Sequence, residues 1–288
     1  MLVFNALLPL CLIVALSFLA ARRALLPAAF WQGFARLTFS VLVPAFLLLG
    51  TLRLDLHLLG PYSLAYYGPV ALLFLLLAVK VRAPGALAGS FSNTVLVGLP
   101  VIAALQGQAG VDVAIAIIAF HSLVLYSLFA LVQGRGLKPL LATLKNPMIA
   151  ALMTGLALNA LGLKPPQALI KSLELLGNGA IGCALICLGA ALASLPPFSR
   201  GQWGESLVLA LAKLLGLPAL VWLGTWLFGL GGREAQVLVL LAACPTAVNV
   251  LPFVKERPAA TATIMLSTLA TLATMPLWMA LTQHYLAR

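Results

Sequence analysis

Two short polar runs interrupt long apolar stretches, and each combines amide, hydroxyl and proline residues at a spacing that can do chemistry. The first reads Ser90-Phe91-Ser92-Asn93-Thr94-Val95-Leu96-Val97-Gly98-Leu99-Pro100. The second reads Cys244-Pro245-Thr246-Ala247-Val248-Asn249-Val250-Leu251-Pro252. Pro100 cannot donate to the carbonyl four residues back, that of Leu96, and Gly98 lowers local helix propensity. In a bilayer, backbone groups freed in this way must face protein, a water-filled cavity or a ligand. If both helices break, two half-helix N-termini can converge near the bilayer centre. Their partial positive charge and free N–H groups favour a carboxylate. Asn93, Thr94, Thr246 and Asn249 would add neutral donors and acceptors. A pair of proline kinks repaired by neighbouring Ser or Thr is the plainer account of the same residues.

Other polar residues fall inside apolar stretches. His121, beside Ser122 and five positions before Tyr126, can carry a proton, contact an anion, or sit neutral and hydrogen-bonded between helices. Lys213 lies about nine residues into its stretch, where a bare ammonium costs roughly 2.5–3.5 kcal/mol. Snorkelling of its stem to the interface is the simpler expectation, and a counter-charge for an anion the alternative. Asn178, between Gly177 and Gly179, suggests close helix packing, a hinge, or a polar residue facing a substrate path. All six acids (Asp55, Asp112, Glu174, Glu205, Glu234, Glu256) fall at or near the ends of apolar blocks. No mid-depth carboxylate is therefore expected as a proton carrier, and any cation site depends on neutral oxygens. The four cysteines lie in apolar segments without CxxC spacing, which argues for filler rather than metal or disulfide chemistry.

The elements that must hold these residues follow from composition. Of 288 residues 63% are hydrophobic and only 8% charged, with a mean hydropathy of +1.12. A soluble domain carries about a quarter charged residues. The apolar blocks are near the 20 residues that a helix needs to span a bilayer. Ten are expected, near 2–20, 30–50, 61–79, 84–106, 111–132, 146–163, 168–193, 204–228, 235–254 and 259–283. The formal charge of +11 is spread singly or in pairs between them, which is not the footprint of a nucleic-acid binder. With the N-terminus outside, the inner connections carry eleven basic residues and the outer ones five. Both termini are then expected outside.

The chain reads as one membrane unit, 1–288, made of a first five-helix repeat (1–132), a short cytoplasmic loop (133–145) and a second repeat (146–288). Five spans per half invert the second half relative to the first. Pro100 and Pro245 lie 145 positions apart, close to the offset between the two halves. Matched interruptions in inverted halves point to a transporter binding site. A drug or metabolite exporter also has ten spans but does not predict the paired interruptions. An intramembrane enzyme would need a catalytic constellation at depth.

Asn93-Thr94 followed by Gly98-Leu99-Pro100 resembles the first crossing motif of the auxin efflux carrier family. Pro245-Thr246-Ala247-Val248-Asn249 resembles its second, and Ser267-Thr268-Leu269 with Met275-Pro276-Leu277 is similar to its last helix. The resemblance implies an all-α polytopic fold like that of bile-acid sodium symporters and sodium/proton antiporters, with two broken crossing helices. Spans 1, 2, 6 and 7 would form a scaffold and the other six a moving domain. It implies carboxylate substrates, auxin in plants and malate or malonate among bacterial relatives. The short 133–145 loop resembles compact bacterial permeases of a cytoplasmic membrane rather than the plant carriers. The substrate-contacting residues expected are Asn93, Thr94, Gly98, Pro100, Pro245, Thr246 and Asn249, with His121 and Asn178 near the path. The partners are an organic anion and the lipid bilayer. A second copy of the chain and a coupling ion, proton or sodium, are left open, and no cofactor is called for.

Overall fold

A backbone in hydrocarbon has to pair its own N–H and C=O groups, so the apolar blocks fold as helices. The computed structural model describes residues 2–134, 145–195, 200–254 and 256–286, so all but the ends of the 133–145 loop falls outside the described residues. The helices are α1 (Leu2–Arg22), α2 (Ala28–Leu52), α3 (Pro61–Ser90), α4 (Thr94–Val132), α5 (Pro147–Ala160), α6 (Gln167–Gly177), α7 (Ala180–Ala193), α8 (Trp203–Leu227), α9 (Gly232–Ala243), α10 (Leu251–Val254) and α11 (Pro258–Leu286). Six stretches among the described residues are long and apolar enough to cross a membrane, and α5 is a shorter apolar helix. Large apolar side chains such as Leu16, Leu76, Val79, Trp226 and Leu272 point outward. Patches of that size have no place in water, and the chain is a polytopic membrane protein.

Two long helices bend where the backbone leaves the helical region. In α3 the bend is at Val81 and Arg82, and Arg82 takes a left-handed φ of 58° that a side chain adopts only under constraint. In α4 it is at Gly107, whose φ of 62° suits a residue without Cβ. Three widened turns occur, at Thr38–Leu42, Thr94–Gly98 and Ala212–Gly216. Each ends two residues before a proline: Pro44, Pro100 and Pro218. A proline ring collides with the carbonyl four residues back, and a bond reaching five residues back moves that carbonyl aside. Val43, Leu99 and Leu217 all make such bonds, to Thr38, Thr94 and Ala212.

Packing sorts the helices into two groups. α1 lies along α7, and α2 along α5 and α6. Around α3 and α4 gather α8, α9 and α11. The groups meet where α7 packs on the Thr94–Gly98 turn and where α1 and α2 touch α4. Ion pairs tie helix ends within each group, Arg53 to Glu174 at 2.5 Å and Arg257 to Glu205 at 2.7 Å.

Candidate functional site

The first interruption is at Phe91–Asn93 and not at Pro100 as its chemistry suggests. α3 stops at Ser90, whose hydroxyl donates back to the Ala86 carbonyl at 2.7 Å. Phe91 (ψ 106°) and Asn93 (ψ 67°) are non-helical. Asn93 then caps α4, its Oδ1 accepting the Leu96 N–H at 3.2 Å, the bond that favours Asn at a helix start. Pro100 lies inside α4, where the widened turn has absorbed it.

The second interruption follows α9. Pro245 forces the residue before it out of the helical region, and Cys244 is extended (φ −60°, ψ 150°). A single turn at Val248–Val250 leads into α10. Pro245 thus stands in its break, whereas Pro100 lies inside α4; Leu251-Pro252 opens α10.

The two breaks lie against each other. The Asn93 N–H donates to the Pro245 carbonyl at 2.8 Å and the Ala247 N–H to the Phe91 carbonyl at 3.0 Å. These bonds pair Ser92 with Thr246 in antiparallel fashion. The buried Thr246 hydroxyl donates to the Ala88 carbonyl at 2.6 Å, closing the end of α3. Its N–H donates to the Ser267 hydroxyl of α11 at 3.0 Å. Gly98 is needed for close approach, because a Cβ there would stand 2.7 Å from the Leu241 Cδ2 and 3.3 Å from the Cys244 Sγ.

Buried polar groups collect at the first break. Asn93 Nδ2 is buried and meets no hydrogen-bond partner among the described residues, while Ser92 Oγ, Tyr66 Oη and the His121 ring nitrogens are buried together without well-formed hydrogen bonds, Ser92 lying beside both Tyr66 and His121. His121 stands edge-on to Phe91, ring centroids 4.8 Å apart, and 5.8 Å from Tyr66. Buried polar atoms are almost always paired, so the free Asn93 amide marks a place where water or a polar group can be received.

Lys213 departs most from expectation. It does not snorkel: its side chain is fully buried, and Nζ donates to the Ala242 carbonyl at 2.6 Å and the Cys244 carbonyl at 2.5 Å. Those carbonyls end α9 and have no helical donor, so the ammonium finds two charge-assisted bonds at depth. At about 1.5–3 kcal/mol each, such bonds offset the cost of insertion.

The remaining expected residues are spread more widely. Thr94 and Pro245 are buried at the breaks, whereas Asn249 is exposed, and its carbonyl accepts from the Tyr126 hydroxyl at 3.4 Å. Asn178 is exposed between α6 and α7, where Gly177 approaches the Phe46 backbone; its side chain makes no hydrogen bond among the described residues. Sequence reasoning missed Tyr66, the Ser92 hydroxyl, and the rings of Phe91 and Phe253. Tyr126 stacks 4.8 Å from Phe253 and 5.1 Å from Phe91. These rings lead to a cavity of about 360 Å³ whose walls include Arg82, Phe129, Phe253, Glu256 and Arg257.

The sequence profile of the family described as "Membrane transport protein" matches residues 134–279, just over half of the chain. The chain is also 32% identical over 208 residues to a protein of Rhizobium meliloti (strain 1021) named "Putative malonate transporter", covering 65% of this chain and 63% of that protein.

Proposed function

The chain belongs to the auxin efflux carrier family of membrane transport proteins, and on that premise we propose that it is a secondary transporter of small organic anions, carboxylates, working by alternating access. Its substrate site is where the two interruptions cross. The observation that carries this reading is the buried polar cluster there, in which Asn93 Nδ2 is a donor without a partner among the described residues and Ser92, Tyr66 and His121 lie together, close to the buried Lys213 and to no buried carboxylate among the described residues. An amide N–H without an acceptor, set beside a lysine nitrogen, favours a bound anion over a bound cation.

In this reading the chain crosses the cytoplasmic membrane ten times, with both termini outside and two inverted halves, 1–132 and 146–288. The bends at Arg82 and Gly107 support it, since each divides a helix too long for one crossing. Scaffold and moving domain correspond to the two packing groups, α1, α2, α5, α6 and α7 against the rest. Thr94, Gly98, Pro100, Pro245, Thr246 and Asn249 shape the crossing, while His121 and Asn178 border the path. The cavity by Arg82 and Arg257 is the inner access route.

The test is a thermal-shift screen of the purified protein against mono- and dicarboxylates, malonate among them, beside neutral and cationic solutes of similar size. A ligand stabilises the state that it binds. Carboxylates should raise the unfolding midpoint in a saturable way. A response limited to neutral or cationic solutes would overturn the reading.

A further inference from the structure

Broken helices in transporters present two kinds of end: half-helix N-termini, which suit anions, and unwound carbonyls with half-helix C-terminal ends, which coordinate sodium or protons. Here the second kind is already occupied by the chain itself. The C-terminal carbonyls of α9, Ala242 and Cys244, both accept from Lys213 Nζ, at 2.6 and 2.5 Å. These distances suit an ammonium bound to oxygen. Lys213 is itself held in place: it lies in the widened Ala212–Gly216 turn, and the Leu214 carbonyl in that turn accepts from the Trp278 indole at 2.8 Å. Widened turns of this type often mark functional positions.

The charge balance depends on that ammonium. Without it, the end of α9 would present a partial negative charge, bare carbonyls and the Cys244 sulfur to the crossing. An anion arriving at the first break would meet repulsion from the second unless a cation came with it. No acidic side chain lies among the buried residues to hold such a cation or to neutralise Lys213. Lys213 thus meets the two carbonyl oxygens, with the Cys244 thiol and the His121 ring also near it and no carboxylate among its buried neighbours, which leaves a positive field for the substrate.

We propose that Lys213 is a tethered cation standing where a cation-coupled carrier would bind sodium, so that the anion binds without an alkali-metal co-ion. This rests on the transporter reading for its consequence, but the cation role itself is testable without any substrate.

The experiment uses the full-length protein in detergent, with sodium chloride or choline chloride at equal ionic strength, with and without malonate. The wild-type midpoint should differ by less than about 1 °C between the two salts, and its malonate affinity by less than about twofold. K213A should lower the midpoint by several degrees in choline, and methylammonium or sodium should restore at least half of the loss. K213M, which fills the space without a charge, should fall as far and not be restored. A wild-type midpoint that rises by more than about 1 °C with sodium, or a malonate affinity that rises more than about twofold, would overturn the proposal. So would a K213M protein as stable as wild type, or a K213A protein indifferent to methylammonium and sodium alike. If malonate shifts nothing in any variant, the substrate reading fails while the midpoints still decide the role of Lys213. Should neither variant yield folded protein, the wild-type comparison of the two salts decides it alone.

Discussion

The two interruptions solve one problem, the orphaned carbonyls of a helix that stops inside a membrane, by different chemistry. At the end of α3 the Ala88 carbonyl receives the neutral hydroxyl of Thr246. At the end of α9 the Ala242 and Cys244 carbonyls receive Lys213 Nζ, a group able to carry a positive charge. The buried Asn93 Nδ2 and His121 gather on the neutral side, and Lys213 on the other. Similar backbone breaks thus give an electrically polarised crossing, in which one side offers hydrogen bonds and the other a fixed charge. If the crossing is the substrate site proposed above, the caps rather than the breaks set what it attracts.

That contrast can be broken by removing each cap. Lys213→Met leaves two carbonyls bare in an apolar site, each worth about 1–3 kcal/mol, so a loss of roughly 2–6 kcal/mol is expected. Thr246→Val keeps the shape but bares only the Ala88 carbonyl, and should lose about 1–3 kcal/mol. Reversible unfolding in mixed micelles gives both values. If the threonine variant loses as much as the lysine variant, the charged cap has no special weight and the comparison fails.

The two breaks also touch through Gly98. Gly98→Ala places a methyl 2.7 Å from the Leu241 Cδ2 on α9, and overpacking of this kind costs about 1–3 kcal/mol. The clash is with a side chain, so Leu241→Ala in the same molecule should recover part of the loss. Full additivity of the two substitutions in a double-mutant cycle would show that the halves do not press on each other there.

Much of this arrangement is legible in the sequence. Apolar blocks of bilayer length and their basic connections account for the helices, and Asn93 with Pro245 marks where helices end. The exact break at Phe91–Asn93 was not legible, because Pro100 looks like the breaker until a widened turn is seen to absorb it. Lys213 was read as snorkelling because its partners, Ala242 and Cys244, are backbone carbonyls about thirty residues away. No side-chain pattern announces a carbonyl left free by a helix end. Tyr66, Phe91 and Phe253 were silent for another reason: aromatic residues in apolar segments are ordinary core, and only their clustering around His121 and Tyr126 sets them apart. The match of the family profile to residues 134–279 covers the second interruption but not the first, so the first half of the site rests on its geometry.

The two asparagines sharpen the comparison at the smallest energies. Asn93 is buried and caps α4, so Asn93→Ala should cost about 1 kcal/mol of stability. Asn249 is exposed, and its carbonyl rather than its side chain is engaged, by Tyr126. Asn249→Ala should therefore change stability by less than about 0.5 kcal/mol. If the crossing is the substrate site proposed above, transport responds differently: each variant should abolish carboxylate uptake or efflux in proteoliposomes while remaining folded and inserted. An Asn249→Ala protein with wild-type transport would confine substrate recognition to the Asn93 side. The second interruption would then contribute its charge alone, through Lys213. Wild-type transport by both variants would remove the crossing as the site.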